Sequence, residues 1–216
     1  MTNQLKNDFP AFSFKVQKNR SFAYGGMVGL SSAEANGGYA TATGFDSFAN
    51  GTSATAMGDT ANANGSNATA VGSYAVANGD SASAFGDNAE ANGYAATALG
   101  QDSFANGYAA TATGFESVAN GANATATGTD AFANGANATA TGANATANGT
   151  YAMASGSSAL ANGLAATVTG PGSFANGAFA TATGVLSYAN GVFATADGAF
   201  ATANGLGATA TGVAAF

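Results

Sequence analysis

Glycine recurs at every seventh residue from Gly37 to Gly212 without a miss. Every second one follows Asn, from Asn36-Gly37 to Asn204-Gly205, whereas the intervening set, Gly44 to Gly212, follows mostly Thr and never Asn. The true period is therefore 14 residues, built from two unlike halves, A-T-A-T-G-x-x and [AS]-x-A-N-G-x-x. Fixed self-similarity of this kind marks a repeat architecture. Each half holds about four alternating residues, enough for a short strand and too few for a helix. Asn-Gly is also a strong hairpin signal, so an antiparallel meander competes. A meander would set unlike halves side by side. A solenoid sets residue i beside i+14, and the columns are far more uniform at 14 than at 7. The prediction is an all-β fold, a parallel β-solenoid (β-roll) of thirteen 14-residue coils with two short strands each, over residues 31–216. At about 4.8 Å per strand it would be roughly 60 Å long.

Alternation assigns the faces. Ala40 and its equivalents to Ala208 are all Ala, and the position two residues on is Ala except at Val168. In the other half Ala35 to Ala203 are all Ala, preceded two residues earlier only by Ala or Ser. Four small side chains per coil predict a thin interior, with the glycines supplying the positive φ angles of its tight corners. Backbone ladders must then carry much of the stability, because Ala buries little apolar area.

The outward columns hold the functional candidates. Seven coils carry a complete Thr-x-Thr: Thr41 and Thr43, Thr111 and Thr113, Thr125 and Thr127, Thr139 and Thr141, Thr167 and Thr169, Thr181 and Thr183, Thr209 and Thr211. Thr is a good strand former, so this array reads either as a solvated face or as a flat ligand face of the kind that binds ice. Asn fills one column completely, where stacked amides can hydrogen-bond along a ladder. Its neighbour column is apolar at Phe48, Val76, Phe104, Val118, Phe132, Leu160, Phe174 and Tyr188. An apolar stripe of that length exceeds what a soluble monomer ordinarily exposes, so these residues form the candidate assembly interface.

Charge narrows the partners. All four bases (Lys6, Lys15, Lys18, Arg20) lie in the first twenty positions, and from residue 21 onward there are ten acids and no base. The repeats therefore cannot displace counterions from a phosphate backbone, and no nucleic-acid partner is expected. No apolar run is long enough for a membrane span, and Met1 to Arg20 lacks the core of a secretory signal. There is no His or Cys. Nucleophile–base pairs and soft metal sites are thus absent from the repeats. An oxygen-rich corner column (Asp46, Asn88, Asp102, Glu116, Asp130, Asn144) would suit calcium chemically, but the G-G-x-G-x-D loop is missing. The expectation is a non-enzymatic protein without cofactor or metal.

Residues 1–30 break the repeat. Phe12, Phe14 and Val16 alternate there, which predicts a separate strand acting as a cap or assembly segment. At the other end the repeat stops at Phe216 with no polar cap, and its charge-poor run resembles a one-step secretion signal. An open strand edge templates pairing. The expectation is that Phe12, Phe14 and Phe216 join the assembly contacts, with Lys15, Lys18 and Arg20 meeting acids of a neighbouring copy in a filament.

The alternation of A-T-A-T-G with S-V-A-N-G, clearest in Ala110–Gly121 (A-T-A-T-G-F-E-S-V-A-N-G), resembles the head repeats of YadA-type trimeric autotransporter adhesins. That resemblance covers residues 31–216. It implies a left-handed β-roll that trimerises and binds host matrix. Neither a heptad stalk nor an anchor segment is read within these 216 residues, and Thr stands at many Val/Ile positions of the family's S-V-A-I-G motif. The functional expectation is a self-assembling subunit of an extracellular fibre, adhesin-like or phage-fibre assembly, on a cell surface or virion. The alternative is an ice-binding solenoid using the Thr-x-Thr face.

Overall fold

The computed structural model describes residues 13–17, 21–25 and 33–216. Phe12, Lys6, Lys18 and Arg20 lie outside these residues, and only the backbone of Phe14 and Lys15 is described. Every described element is a strand, and no helix long and apolar enough to cross a membrane occurs among them.

The chain enters through an antiparallel pair, β1 (Ser13–Gln17) with β2 (Ser21–Gly25). From β3 (Glu34–Ala35) and β4 (Thr41–Thr43) onward, two-residue and three-residue strands alternate to β27 (Thr202–Ala203) and β28 (Thr209–Thr211). The three-residue strands stack in parallel to form one sheet, which begins with β1 and β2 and has fifteen strands. The two-residue strands form a second, thirteen-stranded parallel sheet. Each strand pairs residue i with i+14, for example Ala98↔Ala112↔Ala126 and Ala105↔Ala119↔Ala133. The predicted solenoid is the observed fold. Repeat logic had no means of placing β2, whose Ser-Phe-Ala-Tyr-Gly falls outside the period. It joins the first sheet parallel to β4, with Phe22↔Thr41 and Ala23↔Ala42. The Ser21 hydroxyl donates to the Gly37 carbonyl and ties this strand to the first coil.

The core is a sleeve of alanine. Inward positions such as Ala110, Ala112, Ala119 and Ala124 are fully buried, and Val168 is the largest apolar side chain among them. Five coils carry an inward Ser in place of Ala, at Ser47, Ser103, Ser117, Ser173 and Ser187, all fully buried. These hydroxyls are satisfied locally: Ser103 donates to Gly100 O at 2.8 Å and Ser117 to Gly114 O at 3.0 Å. A buried hydroxyl without such a partner would cost free energy.

The role expected of the glycines needs correction. Of the two seven-spaced sets, only the Thr-side glycines have positive φ, between 109 and 141°; Gly172 and Gly207, outside both sets, stand at 62 and 63°. The Asn-side glycines do not. The left-handed residue of every corner lies two positions after a glycine and is non-glycine in 24 cases, with φ of 49–62°. Asn-side glycines are required for a different reason. A Cβ on any of them from Gly37 to Gly191 would overlap the carbonyl of the glycine one coil later. Coils stacked at about 4.8 Å leave no room there for a side chain.

Candidate functional site

Chemistry on this molecule means ladders, because every outward side chain repeats one coil on. The Asn column forms an unbroken amide ladder. Each Nδ2 donates to the Oδ1 of the Asn fourteen residues later, from Asn36 to Asn204, in twelve bonds of 2.7–3.0 Å. Parallel, in-register stacking is what places like amides at hydrogen-bonding distance.

Beside it on the two-residue sheet runs the apolar column. All eight sequence-chosen residues occupy it in register, interrupted by Asn62, Glu90 and Thr146. Although they face outward, most are half-buried, because each covers part of the next; Phe132 is 38% exposed. Two uninterrupted runs result: Phe104–Val118–Phe132, and Leu160–Phe174–Tyr188. In the second, the Phe174 and Tyr188 rings stack at 5.2 Å with planes 3° apart. Phe216, the next position of this column after Thr202, is 94% exposed at the open end of the stack, where Thr202 N donates to Ala215 O at 2.8 Å.

The corners add ladders that the sequence reading left partly unused. Tyr94 stacks on Tyr108 at 5.1 Å and Phe179 on Phe193 at 5.2 Å. Their 14-residue spacing is the signal that could have found them. Phe179, Leu186, Phe193 and Phe200 also occupy left-handed corner positions, an uncommon conformation for bulky residues. Earlier along the Thr-side corner, in the column that later holds Leu186 and Phe200, Asp102, Glu116 and Asp130 follow one another along the stack. Asn88 donates to Asp102 Oδ1 at 2.8 Å. Desolvation, then the neighbouring Asp130 and Asp102, hold the Glu116 carboxyl above its usual pKa. The described residues contain no cluster of three or more His, Cys, Asp or Glu arranged to hold a metal ion.

The Thr columns lie on the outer face of the three-residue sheet, in register throughout. The two columns are unequal. The leading residues Thr111, Thr125, Thr139 and Thr167 are half-buried. In the trailing column Thr113 is half-buried, whereas Thr127, Thr141 and Thr169 are exposed. The longest run of complete pairs spans three successive coils. There Thr113 pairs with Thr127 and Thr127 with Thr141, before Met153 and Ser155 interrupt. After that break Thr169 follows Ser155 and pairs with Thr183, which donates to Asp197 at 2.6 Å. Thr41 with Thr43, and Thr209 with Thr211, stand isolated next to Met57 and Asp197. The seven pairs therefore form short separate patches rather than the single flat array that an ice-binding face calls for.

The sequence model for the YadA head domain repeat (two copies) matches residues 49–75, 77–103, 105–131, 133–159 and 182–208, well over half the chain. No curated protein matches. Among solved structures, the chain is similar to the collagen-binding domain of the Yersinia adhesin YadA, at 22% identity. The match covers 84% of this chain and 70% of that one, with a TM-score of 0.24. The matched segments are each about two coils long and fall on the repeats that build both ladders, so the chain belongs to the YadA head-repeat family.

Proposed function

We propose that this chain is a non-catalytic head segment of an adhesin-like fibre at a cell surface, whose copies associate side by side through the apolar column. Family membership supports the adhesin-like, structural part of the reading. One observation carries the association: Leu160, Phe174 and Tyr188 form a continuous apolar run, flanked at the adjoining corner by Val185, Leu186 and Phe200, which are 36–54% exposed. From Ala131 to the end only the Asp197 side chain is charged, and it stands on the three-residue sheet, so the apolar column of this half carries no ionic side chain that would resist burial. Farther back, identical copies packed on Phe104–Val118–Phe132 would bring the carboxylates of Asp102, Glu116 and Asp130 together, which is unfavourable. The contact is therefore centred on the later coils, with a host surface or matrix as the partner of the assembled head.

Sedimentation at micromolar concentration is expected to show oligomers, a trimer being the family's form. Phe174→Asp with Tyr188→Asp should dissociate them while leaving circular dichroism unchanged. Each ring fully buried contributes about 1.5–3 kcal/mol, so association should weaken by roughly a hundredfold or more. Wild-type protein that sediments as a monomer under these conditions would end the reading.

A further inference from the structure

The apolar column lacks one ring. Phe104, Val118 and Phe132 occupy successive rungs, in register. Phe104 and Phe132 are therefore two coils apart, roughly 9–10 Å. Where ring follows ring elsewhere in this protein, neighbouring centroids lie 5.1–5.2 Å apart with nearly parallel planes. Val118 is too short to fill the middle rung. A groove of about 420 Å³ results, lined by Asp102, Phe104, Glu116, Val118 and Phe132. That is within the size range of small-molecule sites. Its floor is apolar and its wall is anionic, and no Lys or Arg occurs anywhere after residue 20 to neutralise that wall.

We propose that this groove binds a planar aromatic cation, whose ring fills the rung above Val118 between Phe104 and Phe132 and whose charge lies against Glu116 and Asp102. Offset stacking on flanking rings and pairing with a carboxylate are both favourable. Desolvation, then the neighbouring Asp130 and Asp102, raise the Glu116 pKa, and a cation set against these carboxylates would offset their mutual repulsion. An extended basic peptide fits less well. Its same-side residues repeat at about 6.6–6.8 Å and fall out of step with rungs at about 4.8 Å. The site is independent of the association described above, which rests on later coils.

The test uses the full chain and two fluorescent probes at neutral pH, the cation N-methylacridinium and its neutral counterpart acridine. The wild-type protein should bind the cation saturably and about tenfold more tightly than acridine, as one nearby charge at a partly exposed site warrants. Val118→Phe supplies the missing ring and should abolish binding of both probes with circular dichroism unchanged. Glu116→Gln should remove most of the preference for the cation. Val76→Phe, in the same column between Asn62 and Glu90, should leave binding intact. No saturable binding by the wild type, undiminished binding by Val118→Phe, or an undiminished preference in Glu116→Gln would each overturn the site. Sedimentation of the same samples keeps that outcome separate from any failure of association.

Discussion

Ala112→Phe should unfold the middle of the solenoid, with a loss of at least about 3 kcal/mol, the upper end of what overpacking costs. Ala112 is fully buried, with Ala98 and Ala126 stacked on either side. The opposing sheet offers Ala105 and Ala119 across the interior. A phenyl ring has no outlet in such a sleeve, and relief requires spreading both sheets and losing their hydrogen bonds. Ala112→Val should cost far less, because Val168 shows that one coil already accommodates that side chain between Ala154 and Ala182. Ala126→Phe should behave like Ala112→Phe. Thermal melts followed by circular dichroism would decide it, and wild-type melting of both Phe variants would mean that inside and outside have been exchanged. Local fraying rather than all-or-none unfolding is the expected form of the loss, since each coil touches only its neighbours.

The second large effect separates two reasons for glycine. Gly107 is not at positive φ, so by backbone entropy alone Gly107→Ala would stabilise by roughly 0.4–1 kcal/mol. The added Cβ, however, would overlap the Gly121 carbonyl. Separating the coils there strains the bond from Asn106 N to Ala119 O (2.9 Å) and the weaker one from Gly107 N to the same oxygen (3.4 Å). The expected result is a loss of about 3 kcal/mol. Two residues later Ala109 sits at φ 49°. Ala109→Gly should stabilise by about 1 kcal/mol, by removing the Cβ strain of the left-handed conformation. Opposite signs at neighbouring positions would show that crowding, not φ, placed the glycine. A gain in stability from Gly107→Ala would refute the crowding account.

These two cases also mark how far the residues could be read in advance. The 14-residue period and the Ala columns disclosed coil length, register and interior, because a solenoid repeats each environment and the sequence repeats with it. The apolar, Asn and Thr columns followed for the same reason. The breaks between Thr pairs followed too, since Met153 and Ser155 stand in register between Thr141 and Thr169. Why glycine stands at Gly107 was not legible, because a recurring turn and a close approach between coils leave the same letter. The hairpin partner β2 was missed because Ser21–Gly25 has no counterpart fourteen residues on. The groove at Val118 could not be seen from a column described only as apolar. It depends on one short side chain between two rings and on the carboxylates that the corner sets beside them.

The amide ladder has a consequence for the chemical lifetime of the chain. Asn-Gly is the dipeptide in which the glycine nitrogen most readily attacks the asparagine side-chain carbonyl. That step expels ammonia and leaves a succinimide, which water opens to aspartate or isoaspartate. Thirteen such pairs occur here. In the closed solenoid the Asn106 amide accepts from Asn92 at 2.8 Å and donates to Asn120 at 2.9 Å, while the Gly107 N–H is engaged by Ala119 O. Neither reactant is free to turn toward the other. Protein held folded in mildly alkaline buffer should therefore keep its mass, while the same chain in urea should release ammonia and gain the amide-to-acid increment; equal rates would deny the fold any protective role. A carboxylate formed in the ladder can no longer donate to the next rung, so a coil that opens once and ages does not close again as it was.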